Sequence, residues 1–299
     1  MAEAAHRMSS RALGTKIALG LVIALASELI VAPPVAAAPP PPSAVADQQN
    51  PALSYADLAD LSLPAQVIAG VTVTKANRLK GEMAPGLQPG QARFLVTASV
   101  GLLLRGANGL PGVVTYIVDL PLDEKGRLPK LKKQRFLVLA EHVAGRPAEL
   151  RLNSPYSHLA WAQPAESILR AILTEANSAK TPPRVTGIGN AFYVAGSIPG
   201  EGESQIFLTT ANNRPISLTV LRRPGEEPQW AVALGEMVDE SAQAPAKETL
   251  LWYRLACSLP PTLPASAVGS LGESEAEAAR ADYRFIIGQL GPCTRMLPR

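Results

Sequence analysis

Between residues 65 and 152 the chain alternates apolar and polar positions with a period of two and is rich in Val, Ile and Thr, which commits this stretch to β-strands. The runs fall at 66–74, 93–104, 113–119, 135–140 and 148–152, and Pro85-Gly86, Pro89-Gly90, Gly109 and Pro111-Gly112 punctuate the gaps. Strands this close in sequence are expected to pair as an antiparallel meander, because a parallel pair needs a longer crossover.

The period then changes. Residues 164–177 carry Pro164 in a first turn and an apolar stripe of Ile168, Leu169, Ile172 and Leu173, which predicts a helix. A second group of strands is predicted at 184–188, 191–195, 205–210, 216–221 and 229–235, with Asn212-Asn213-Arg214 as a hairpin turn. The C-terminal part reads as helical over 248–257 and 273–290. Ser270 with Glu273, or Ser274 with Glu277, offers the second helix a capping box, and Gly291-Pro292 stops it. Ahead of the strands, Ser54 caps a short helix in which Tyr55, Leu58 and Leu61 share a face, and Pro64 ends it. The expected class is α+β: a mainly antiparallel sheet, barrel-like if it closes, with one inserted helix and a helical C-terminal region.

The first 46 residues belong to none of this. Arg7, Arg11 and Lys16 precede a 15-residue apolar run, 17–31, and small residues and prolines follow through Pro39-Pro40-Pro41-Pro42 to Ala44-Val45-Ala46. That order is the secretory pattern. The run is shorter than the roughly 20 residues a spanning helix needs and is broken by Ser27 and Glu28. A cleaved signal with a proline-rich tether is therefore expected, cut after Ala37 or Ala46, leaving a periplasmic or secreted chain with no stable membrane span. The remaining organisation is a helical segment at 47–63, a β-rich domain at 64–240, and a helical region at 241–299 packed on that domain.

In an oxidising compartment the two cysteines, Cys257 and Cys293, are expected to form a disulfide, worth about 3–4 kcal/mol on the chain-entropy account. Removing residues 1–46 leaves 25 cations and 23 carboxylates, net +2, which argues for neither a nucleic-acid partner nor a strongly charged substrate, and no nucleic acid is expected. The charge is nonetheless uneven. Lys125, Arg127, Lys130, Lys132, Lys133 and Arg135 crowd into one short segment between the third and fourth strands. Such a loop would touch anionic envelope lipid, polysaccharide or an acidic protein, or would simply be a solvated connection whose lysines oppose edge-to-edge aggregation.

Catalytic and metal constellations are not read in this chain. His142 and His158 are well separated in sequence, with no His-Glu-x-x-His or cysteine-based metal spacing, so no metal or cofactor is expected. Ser154, Ser157 and His158 are close in sequence, but local adjacency is not triad geometry, and a turn is the expected reading. Gly187-Ile188-Gly189-Asn190 is followed by strand-like residues rather than a helix N-terminus, so a bulge or turn is expected there, not a phosphate loop. Gly200-Glu201-Gly202-Glu203 reads as a hairpin loop, with weak calcium binding as the alternative.

Several segments taken together resemble an exported protein family of Gram-negative bacteria that carries no assigned activity. They are Tyr55-Ala56-Asp57-Leu58-Ala59-Asp60-Leu61, Leu128-Pro129-Lys130-Leu131-Lys132-Lys133, Gly202-Glu203-Ser204-Gln205-Ile206-Phe207-Leu208, Leu251-Trp252-Tyr253-Arg254-Leu255-Ala256-Cys257 and Gln289-Leu290-Gly291-Pro292-Cys293. That resemblance implies export and the paired cysteines. A shorter likeness, Ser204-Gln205-Ile206-Phe207-Leu208-Thr209-Thr210 with the segment from Trp230 to Val238, is similar to the cyclophilin-type prolyl isomerase pattern and implies a folding catalyst. The upstream Arg…Phe…Gln segment of that family has no counterpart in this sequence. A non-catalytic binding or envelope-support role is expected, with a cyclophilin-like isomerase or folding factor as the alternative.

Overall fold

The computed structural model describes residues 53–235 and 242–298. The export segment and tether (1–46) lie outside the described residues, as do 47–52 and 236–241. Among the described residues no helix is long and apolar enough to cross a membrane.

The first strand group is β1 (Val67–Leu79), β2 (Gln91–Arg105), β3 (Val113–Pro121), β4 (Arg135–Val143) and β5 (Arg146–Leu152). These close into a barrel. β1 pairs antiparallel with β2 and with β4, β2 with β3, and β4 with β5, while β3 and β5 pair in parallel. The meander expectation therefore holds for β1-β2-β3 and for β4-β5 and fails at the seam. The connection between β3 and β4 (122–134) carries the chain back across the barrel, so that β4 lies beside β1 rather than β3. That return is a Greek-key connection, and the five-stranded closed result has the topology of an OB-type barrel. Topology alone assigns no ligand.

β1 and β4 are buried on both faces. Val67, Ala69, Val71 and Val73 of β1 meet Val138 and Ala140 of β4 inside the barrel, together with Phe94, Val96, Val114, Tyr116 and Leu150. Ile68, Leu137 and Leu139 point the other way, into a second core shared with the helices and the second sheet. This two-sided burial explains why the two runs read as nearly continuous apolar stretches instead of clean alternation.

The second sheet is an antiparallel meander of β7 (Val185–Ala195), β8 (Gly202–Thr210), β9 (Ile216–Arg222) and β10 (Gln229–Ala233). β7 is a single strand where two were expected, because the chain bulges between Ile188 and Ala191 without leaving the ladder. One further strand was missed: β6 (His158–Ala160), a short segment that pairs with β4 where a turn into the helix was expected.

Helices α1 (Tyr55–Ser62), α2 (Gln163–Ala176), α3 (Leu250–Ala256) and α4 (Glu273–Leu290) contribute to the second core. Ser54 caps α1 as expected, accepting from Asp57 N while Asp57 accepts from Ser54 N. The α4 cap differs from expectation. Gly272 is the N-cap, and Glu275 reaches back to its backbone N–H at 3.1 Å, so neither Ser270 nor Ser274 opens the helix.

Among the ties that hold the C-terminal region, a disulfide and two buried carboxylates stand out. Cys257 at the end of α3 and Cys293 beyond α4 form a disulfide. Asp57 accepts from Met296 N at 2.9 Å and Leu297 N at 3.2 Å, which attaches the tail to α1. Asp282, fully buried on α4, accepts from Ser204 of β8 at 2.5 Å and from the Arg222 guanidinium of β9, joining the helix to the sheet. Removing the cation from such a pair strands a buried carboxylate and costs roughly 3 kcal/mol or more. The Arg222→Ala variant is expected to lose that much in urea unfolding, and a loss under about 0.5 kcal/mol, the usual range for a surface change, would show that the pair is not structural.

Candidate functional site

The site is built on the second half of β1. As far as Thr72 this strand lies between β2 and β4; beyond that its pairing with β4 ends, and it continues to Leu79 on β2 alone. A register shift between Val73 and Lys75 leaves Thr74 as an extra residue, with its Oγ1 donating to Thr97 O at 2.9 Å. Such a bulge resets the alternation. Val71 and Val73 face the barrel core, whereas Thr74 and Lys75 are both exposed.

The β3–β4 connection takes the place that β4 leaves open. Val73 N donates to Gln134 O at 3.0 Å, Lys133 N donates to Val73 O at 2.8 Å, and Leu131 is buried in the barrel core. Gln134 N closes a tight turn on Leu131 O, and the third residue of that turn, Lys133, has φ 68°. A left-handed backbone is unusual for a residue with a Cβ, and Gly or Asn is the common occupant of such a turn. The ladder bonds on both sides of Lys133 hold it there.

The loop is thereby laid along β1. Lys75 and Lys132 line one groove of about 420 Å³, together with Phe94, Leu128, Pro129 and Leu131. The segments 74–90 and 122–134 hold eight cations (Lys75, Arg78, Lys80, Lys125, Arg127, Lys130, Lys132, Lys133) against three carboxylates (Glu82, Asp123, Glu124), net +5. The rest of the chain after residue 46 then carries 17 cations and 20 carboxylates, net −3. Among the described residues outside these segments, 16 cations meet 16 carboxylates, so the net positive charge of the described residues lies in these two segments.

The six cations singled out from sequence are not equivalent. Lys125, Lys130, Lys132 and Lys133 are exposed and, among the described residues, enter no salt bridge. Arg127 is engaged within the loop: its Nε donates to Asp123 at 2.6 Å, and Asp123 also accepts from the backbone N–H groups of Lys125 and Arg127. Those bonds, the Arg127 backbone first, hold the Asp123 carboxyl below its ordinary pKa. Arg135 lies on β4 with its guanidinium 3.8 Å from the centre of the Trp161 ring, a cation–π contact outside the groove lining. Lys75, Arg78 and Lys80 were missed, because only the fold lays the loop along the second half of β1, with Lys75 and Lys132 in one groove.

Beneath the loop is a smaller cavity of about 60 Å³ lined by Leu120, Pro121, Pro129, Leu131, Phe136 and His158 among others. His158 stacks on Phe136 with ring centres 4.0 Å apart, and its Nε2 lies 3.1 Å from Tyr116 Oη. Burial pushes the imidazole down to about 3 and the Tyr116 hydroxyl upward, so both are neutral at physiological pH. Ser157, adjacent in sequence, bonds to Ser154 Oγ at 3.2 Å while the His158 ring bonds to Tyr116. The adjacent serine and histidine are not partners, as the turn reading anticipated, although the segment ends in a strand.

Elsewhere, Glu201 accepts from Ser197 N at 3.1 Å and so takes part in closing its own loop. Among the described residues no three His, Cys, Asp or Glu side chains converge as a metal cage. The cyclophilin-like segment forms β8, β9 and β10 of the second sheet as far as Gly235, and its last residues lie outside the described ones. No family model matches the chain, and no curated protein matches it.

His158 gives the fold a pH dependence with a definite sign. Its unfolded pKa is near 6.5 and its folded value near 3, so stability is intact above about pH 6.5 and is lost as pH falls through the window, by at most about 1.4 kcal/mol per pH unit for one proton. His158→Phe, which keeps an aromatic ring on Phe136, is expected to remove that part of the slope between pH 6.5 and 4 in parallel urea titrations. Identical slopes for the two proteins would contradict it.

Proposed function

We propose that the mature protein is an exported, non-catalytic binding protein that engages an anionic component of the envelope through the basic end of its barrel. The observation that carries this reading is the juxtaposition of Lys75 and Lys132 in one apolar-lined groove, at the end of the molecule where eight cations meet three carboxylates. Exposed lysines that enter no salt bridge among the described residues present strongly hydrated point charges that attract an anionic surface or polymer from a distance. Export enters from the basic, apolar and small-residue order of the first 46 residues and is consistent with the disulfide.

The test uses long-chain inorganic polyphosphate as a soluble polyanion and the protein without residues 1–46. Binding is expected, weakening steeply as salt rises because the contacts are screened. The quadruple variant Lys75→Ser, Lys130→Ser, Lys132→Ser, Lys133→Ser is expected to bind at least tenfold more weakly, with unchanged thermal unfolding. Equal binding by the two proteins would remove the basis for the proposal.

A further inference from the structure

The same end of the barrel carries apolar side chains where a merely solvated connection would carry polar ones. Met83, in the β1–β2 loop, is 63% exposed, and Leu128, in the β3–β4 loop, is 41% exposed. Each is accompanied by cations in sequence: Lys80 before Met83, and Arg127 and Lys130 on either side of Leu128. The two loops emerge from one end of the barrel. Leu122 N donates to Gly90 O at 2.8 Å, and Arg93, salt-bridged to Asp119 of β3, also donates to Pro85 O in the β1–β2 loop at 2.9 Å. These bonds anchor the two loops to one another, and Met83 and Leu128 remain in solvent.

Resting on the reading above, we infer that this barrel end docks on an anionic lipid surface, with Met83 and Leu128 entering the interface and the surrounding lysines meeting the headgroup phosphates. The combination of chemistries favours lipid over a soluble polyanion. A polysaccharide or polyphosphate would reward the lysines but gain nothing from exposed Met and Leu tips, whereas a membrane interface rewards both. Long lysine stems also let the ammonium groups remain at headgroup level while their methylenes lie against apolar surface. The charge distribution supplies orientation: the two +5 segments are drawn to the surface, whereas the other described residues hold 16 cations and 16 carboxylates and add no net attraction.

Vesicle co-sedimentation tests this, with vesicles of phosphatidylcholine and phosphatidylglycerol mixed two to one, vesicles of phosphatidylcholine alone, and polyphosphate as the soluble control. Wild-type protein lacking residues 1–46 is expected to bind the anionic vesicles and not the neutral ones. Met83→Ser with Leu128→Ser is expected to lose at least fivefold in vesicle affinity, and Met83→Ser alone, at a residue outside the groove lining, is expected to lose part of that affinity while retaining polyphosphate binding. Since both side chains are exposed, unchanged thermal unfolding is expected and checks that the variant is folded. Polyphosphate binding without vesicle binding would overturn the lipid inference and leave the broader anionic reading standing. Vesicle binding unaffected by the double substitution would overturn apolar entry, and failure to bind either probe would overturn both readings.

Discussion

β1 holds the molecule together by pairing with two neighbours at once. Over Ile68–Thr72 it carries ladder bonds to both β2 and β4, and this double pairing closes the barrel. Closure buries the strand on both faces, with Val67, Ala69 and Val71 in the barrel core and Ile68 in the core shared with the helices and second sheet. The two cores therefore meet across a single layer of backbone. A change in β1 register would invert both sets of contacts, because a one-residue slip exchanges the faces of a strand. The bulge at Thr74 ends this arrangement locally, turning a buried strand into an exposed one without interrupting its pairing with β2.

Most strands and helices were legible in the sequence because each is set by local periodicity. The helix at 163–176 differs by one residue at each end from its expectation, and α4 has the bounds the pattern gives. Partner choice was not legible. The apolar run of β4 states that the strand is buried but not whether β3 or β1 lies alongside, so the parallel β3–β5 seam required the assembled barrel. β6 was missed because so short a strand carries too little period to register. β7 was divided because Gly187 and Gly189 resemble a break, whereas the chain accommodates them as bulges within one ladder.

The candidate site follows the same division. The lysines at 125–133 stand together in sequence and were visible, while Lys75, Arg78 and Lys80 lie far earlier, just beyond the strand expected at 66–74. Arg127 and Arg135 were included by proximity alone; the fold commits one to Asp123 and the other to Trp161. What distinguishes the remaining lysines is the absence of such commitments among the described residues, together with an apolar lining that no composition count conveys.

The central claim is that the β3–β4 loop is no free connection but is laddered onto β1, so that its lysines and Lys75 of β1 form one surface. Native-state amide hydrogen exchange at Lys133 tests this most directly, since the residue sits in an exposed basic loop yet donates its N–H to Val73 O at 2.8 Å. The account predicts protection of the Lys133 and Val73 amides comparable to that of the paired amides of β1. Exchange of Lys133 within the dead time, with β1 still protected, would contradict it.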